Sequence, residues 1–153
     1  MSVLASKRGE SAVQFLDTAR EIELYALKYS VKFPKRYFFV ITKDLLDLAK
    51  QGYNNVKSAN SVYATNQEEA QIRVNYVIHA ICNYQALISQ LDIAMSIVTH
   101  YSAKGDDGKE KAIPSKVWEE WARMISEELR LLSGLKKKLQ SKYKENIEET
   151  NTD

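Results

Sequence analysis

A chain of 153 residues, 44% of them hydrophobic, is long enough for one domain with a real core and too short for two. Five Gly and two Pro are too few for the turns of an all-β fold, and the abundance of Leu, Ala, Glu, Lys, Gln and Ile favours helix. The lone cysteine, Cys82, excludes an internal disulfide and fits a reducing cytosol; no apolar run suits a leader or a membrane span, so a cytoplasmic protein is expected.

The formal net charge of +2 is too small to announce a polyanion partner. Its distribution says more. Lys32, Lys35, Arg36 and Lys43 gather in one stretch with only Asp44 close by. Lys136, Lys137, Lys138, Lys142 and Lys144 form a second run without an acid, before the acidic tail of residues 145–153.

Residues 1–9 read as an arm closed by Gly9, and Ser11 with Gln14 forms a capping box for a first helix over about 11–31. Ala12, Phe15, Ala19, Ile22, Ala26 and Tyr29 mark its buried face, with Leu16 widening it. Phe33-Pro34 then interrupts the period, because Pro34 disfavours helical dihedrals at Phe33 yet suits the first turn of a new helix. Phe38, Ile41, Leu45, Leu48, Ala49, Val56 and Ala59 carry the second helix, over about 34–64. Gly52 inside it costs about 1 kcal/mol against Ala, which implies close packing or a soft spot.

Thr65-Asn66-Gln67-Glu68 is a second capping box, opening a helix over about 66–100 that would be roughly 50 Å long. Ala70, Val74, Val77, Ile81, Tyr84, Ile88, Leu91, Met95 and Val98 alternate at three and four residues and predict its seam. Arg73, Ala80, Leu87 and Ala94 run beside that seam, with Ile78 and Gln85 on the other flank, so this helix needs neighbours on more than one side. Residues 102–113 form a loop, and a last helix over about 114–144 buries Val117, Trp121, Ile125, Leu132, Leu135 and Leu139. Four helices with short connections predict an all-α, single-domain, up-down-up-down four-helix bundle.

Bundles can house metals, but neither His79 nor His100 has a Glu three residues before it, and His79 with Cys82 lacks a second ligand pair. Glu119-Glu120 and Glu127-Glu128 are paired carboxylates of the kind that solvated helix faces and neighbouring Lys or Arg explain. Residues 104–111 hold no phosphate-cradling motif, and Asp106-Asp107-Gly108 reads as a turn, not a calcium loop. No catalytic residue, metal or cofactor is expected.

The run Lys32-Phe33-Pro34-Lys35-Arg36-Tyr37-Phe38-Phe39 carries the most chemistry. Cations at a helix start can grip phosphates, and Tyr37 could stack on a base. The competing reading has Phe33, Phe38 and Phe39 closing the bundle end while the cations stay wet. For Lys136 to Lys144 the competing reading is plain complementation of a helix dipole at its C-terminal end.

Lys32-Phe33-Pro34-Lys35-Arg36-Tyr37, with Ile88-Ser89-Gln90-Leu91-Asp92-Ile93-Ala94 and Ile125-Ser126-Glu127-Glu128, resembles a bacterial four-helix-bundle superfamily. That superfamily includes the accessory variability determinants of diversity-generating retroelements and the proteins encoded in intervening sequences of large-subunit rRNA genes. The resemblance runs from about Ser11 to Lys138. It implies a non-enzymatic homo-oligomer, a pentameric barrel, whose basic surface binds a reverse transcriptase and template RNA. Lys32, Lys35 and Arg36 then become contact residues through the shared junction, Tyr37 joins them as the ring that could stack on a base, and Arg73, Lys136, Lys137 and Lys138 join them on charge alone. The alternative from a different class is a protein-interaction scaffold with no nucleic-acid role.

Overall fold

In a computed structural model of the chain, residues 3–101 and 113–150 are described, with side chains over 14–99 and 113–144. They form helix α1 (Val3–Ser30), a 3₁₀ turn (Lys35–Tyr37), a π turn (Phe38–Thr42), and helices α2 (Lys43–Ser61), α3 (Gln67–Tyr101) and α4 (Ser115–Thr150). No strand occurs among the described residues. Each helix packs on its neighbour in sequence and α4 closes back on α1, giving the four-helix bundle that the apolar periods predict. The predicted 102–113 loop lies outside the described residues except for Ile113, which is buried.

The helix starts differ from their predicted positions for local reasons. Residues from Val3 onward are already helical, so Ser11 and Gln14 sit inside α1 and do not cap it. At the start of α3 the capping residue is Asn66, one place later than predicted. Its Oδ1 accepts from the Glu69 N–H at 2.9 Å, and the Glu69 carboxylate accepts from the Thr65 hydroxyl (2.9 Å) and the Asn66 amide (2.8 Å). The Asn66 carbonyl takes the first helical bond, from Ala70 N–H at 3.1 Å.

Helix two does not begin as a regular α-helix. Pro34 sits at φ −54°, ψ 136°, an extended geometry, so the chain restarts through a tight turn in which Tyr37 N–H donates to the Pro34 carbonyl at 3.0 Å. The π turn follows and carries an extra residue per turn. Ile41 and Thr42 stay buried, while Phe38, Phe39 and Val40 are turned outward.

On α3 the buried line is Val74, Val77, Ala80, Tyr84, Leu87, Leu91, Ala94 and Val98. This line runs between the two predicted ones: Ile81 and Ile88 are half-buried, and Met95 is exposed. The cause is that α3 packs on both α2 and α4, so the wedge between two seams is deepest. Ala80 and Ala94 let the neighbouring backbones approach there. Across the α2–α3 interface Asn55 donates to Asn83 at 2.7 Å, which fixes the register of the pair.

Trp121 and Trp118 are both in the core, stacked at 6.0 Å between ring centroids, with Phe33 stacked on Trp118 at 5.5 Å and Tyr25 edge-on to Trp121 at 5.8 Å. This aromatic cluster pins the end of α1 to the start of α4.

Candidate interface at the first helix junction

Between Leu24 and Lys43 the chain carries Lys28, Lys32, Lys35, Arg36 and Lys43 and no acid. All five are exposed. Lys28 and Lys32 both lie over the Tyr29 ring, at 5.2 and 5.1 Å, and the Arg36 guanidinium lies over Tyr37 at 4.8 Å. In each case the charged head itself lies over the ring, a cation–π contact at an exposed site. The Lys43 ammonium is bound to Asp47 at 2.8 Å, a bond that raises its pKa and ties it to its own helix. The basic site therefore narrows to Lys28, Lys32, Lys35 and Arg36.

Only Phe33 closes the bundle end. Phe38 and Phe39 meet edge to face at 5.1 Å but remain exposed, Phe39 at 78%. Tyr37 is half-buried, with Arg36 against its ring, so Phe39 is the open aromatic surface at this junction. Sequence spacing gave no hint of that exchange, because it follows from the π turn.

The second basic group sits elsewhere. Phe33 on Trp118 places the start of α4 beside the junction, and Lys136–Lys138 lie about 30 Å further down that helix. Lys137 and Lys138 are exposed and Lys136 is half-buried. Arg73, near the start of α3, is at the same far end, half-buried, with an Nε that has no hydrogen-bond partner. The structure thus joins Lys32, Lys35, Arg36 and Tyr37 at one end and does not join them to Arg73, Lys136, Lys137 and Lys138.

The paired carboxylates separate as well. Glu120 takes two bonds from Arg123 (2.9 and 2.6 Å), and Glu127 takes two from Arg130 (3.0 and 2.6 Å); these bonds lower both carboxyl pKa values. They behave as the solvated-face reading expects. Glu128 does not. It is fully buried, and neither carboxyl oxygen has a hydrogen-bond partner. Burial pushes its pKa up to about 9, with the charge of Glu127 adding to the rise. The Tyr84 hydroxyl in the same core also lacks a partner, and burial raises its pKa, with Glu128 the largest charged contributor. The core thus holds a carboxyl that stays protonated at neutral pH.

His79 and Cys82 are exposed, and no group of three or more His, Cys, Asp or Glu suited to a metal occurs among the described residues. No helix among them is long and apolar enough to cross a membrane. Comparison of the chain with protein-family models, with curated proteins and with solved structures finds no match to any of them.

Proposed function

We propose that this protein is a non-enzymatic, oligomeric accessory protein that binds RNA and a polymerase partner through its basic surface, in the manner of the retroelement accessory determinants its junction resembles. On this reading the RNA is a structured template and the polymerase a reverse transcriptase. The observation that carries it is the acid-free junction, where Lys32, Lys35 and Arg36 are exposed within one short stretch that also carries the exposed ring of Phe39. Cations placed this way neutralise phosphates and release counterions, and an exposed ring adds sequence-tolerant stacking on an unpaired base.

The test is binding of a fluorescently labelled RNA hairpin to the purified protein at several salt concentrations. Lys35→Glu with Arg36→Glu is expected to weaken binding at least tenfold and to flatten its salt dependence. Unchanged affinity in that variant would remove the junction as the site. Absence of any salt-sensitive binding by the wild-type protein would leave the interaction-scaffold reading, which the exposed apolar residues of α1 favour.

A further inference from the structure

The outward face of α3 is nearly free of charge. In a chain with 27% charged residues, Asp92 is the single Asp, Glu, Lys or Arg between residues 74 and 99. The exposed row runs Cys82, Ala86, Ser89, Ile93 and Ser96 at alternating intervals of four and three, with Ile93 47% exposed. Its serines do not depend on water, because Ser89 donates to the Gln85 carbonyl (3.1 Å) and Ser96 to the Asp92 carbonyl (3.0 Å). By contrast, α4 exposes Arg123, Arg130, Lys137 and Lys138. A helix face without ionic groups, its hydroxyls already bonded, is suited to being covered by protein.

We propose that the cover is the α1 corner of a second copy of this chain, in a head-to-tail contact. Both α1 and α3 pack on α2 and on α4, so they stand at opposite corners of the bundle. Within α1, Leu24 and Leu27 are the exposed large aliphatic residues, at 43% and 48%. A contact between two different faces of one chain repeats from copy to copy, and it closes into a ring where the turn per copy divides the circle. It deepens the oligomeric part of the proposed function and rests on that part alone.

Register and charge agree with this pairing. Helices α1 and α3 run the same way in the bundle, so copies related by rotation about its long axis bring them together in parallel. Tyr25 meets Trp121, and seven residues along α4 from Trp121 is Glu128, the charged group acting most on the Tyr84 hydroxyl. Seven residues along α3 from Tyr84 is Leu91, so Tyr25 and Leu91 share a level and Leu24 lies within about one helical turn of Ile93. Taking Leu24 and Leu27 as heptad positions a and d makes Lys28 an e position; taking Ile93 and Ser96 as a and d makes Asp92 a g position. A parallel pair with Leu24 on Ile93 and Leu27 on Ser96 then sets Asp92 of one copy beside Lys28 of the other, as g and e residues pair in parallel coiled coils. In the same register Arg20 faces Ser89, its charge already met by Glu21 at 3.5 Å. Glu21 and Glu23 face Gln85 and Ile97, so no like charges meet. A nucleic acid or an anionic lipid surface would find no cation on this row of α3.

The test is disulfide cross-linking of the full chain with Cys82→Ser removing the native thiol. Leu27→Cys and Ser96→Cys are made separately and together; facing d positions bring Cα atoms about 6 Å apart, within disulfide reach. Oxidation should cross-link a mixture of the two single variants, leave each alone uncross-linked, and carry the double variant up a ladder past the dimer. Either single variant cross-linking alone and stopping at a dimer would mean a two-fold contact and overturn the proposal. Sedimentation equilibrium between about 1 and 200 μM, a range that brackets micromolar association, should give the wild type a mass above the monomer. Ile93→Lys should return it to the monomer with far-UV circular dichroism unchanged. Lys28→Asp should weaken association about two- to fivefold, and adding Asp92→Lys should restore it. A monomeric wild type, an oligomer indifferent to Ile93→Lys, or a charge swap without restoration would each overturn the contact. An RNA-binding monomer would defeat it and leave the nucleic-acid reading intact; an RNA-blind oligomer with the mixed cross-link would do the reverse.

Discussion

Gly52 of α2 lies against the ring of Tyr84 on α3 so closely that a Cβ at position 52 would come within 2.7 Å of the ring carbon Cζ. Both residues are buried, and Tyr84 has no exposed surface into which the ring could swing. Gly52→Ala gains about 1 kcal/mol of helix propensity, yet overpacking a closed core costs about 1–3 kcal/mol, so the variant should come out less stable. Urea denaturation measures the sign. Combining Gly52→Ala with Tyr84→Leu should cost less than the two single changes added together, since the second removes the ring that the first strikes. A more stable Gly52→Ala variant would mean that the helices can part there at little cost.

Gly134 makes the opposite case. It is an exposed position of α4, and a Cβ added there meets nothing within 4 Å. Here only backbone entropy and propensity act, so Gly134→Ala should stabilise the bundle by about 0.5–1 kcal/mol. Thermal unfolding followed by circular dichroism should show a higher midpoint. Two glycines in two helices should thus respond to the same substitution with opposite signs.

Glu128 makes stability depend on pH in a direction unusual for a carboxylate. Its folded pKa of about 9 lies above the ordinary value of 4.5, so the folded state holds the proton more tightly than the unfolded chain does. The group's contribution is fully present below pH 4.5, falls as pH rises, and is lost above about 9. The slope within that window is about 1.4 kcal/mol per pH unit, or about 3 kcal/mol lost by pH 7. Glu128→Gln removes the titration. Its stability advantage over wild type should therefore widen between pH 5 and pH 8.5 in denaturant titrations, and a constant difference would refute the buried-acid account.

The sequence made that acid visible in hindsight. The α4 stripe runs Val117, Trp121, Ile125, then jumps seven residues to Leu132, and Glu128 occupies the missing step. Its neighbour Glu127 has an arginine three residues on, which made the pair look like solvated surface. Most of the fold was legible for the opposite reason: the apolar periods of α1, and of α2 from Ile41 onward, identify their buried faces directly. On α3 two seams were both apolar, and periodicity cannot say that the wedge between them is deepest. Nor could residue types choose between Thr65 and Asn66 as the cap, because both are capable and a Glu follows each at three residues. The π turn has no sequence signature at all, since Phe38 and Ile41 are spaced as in an ordinary helix. For the candidate site the cations of the junction were legible, while the exposure of Phe39 and the distance to Lys136–Lys138 required the fold.

That distance makes the two basic groups separable by RNA length. An RNA of about three nucleotides is too short to span the roughly 30 Å between Lys35 and Lys137. Its affinity should fall on Lys35→Glu with Arg36→Glu and stay the same on Lys136→Glu, Lys137→Glu and Lys138→Glu together. A hairpin long enough to reach both ends of the bundle should lose affinity to each set. Each reversal should lower the salt slope by about two to three, in proportion to the phosphates released. Filter binding with the two RNAs and the two variants separates these cases. Equal losses with the short RNA would place both clusters on one binding surface, which the antiparallel run of α4 away from the junction does not allow within a single chain.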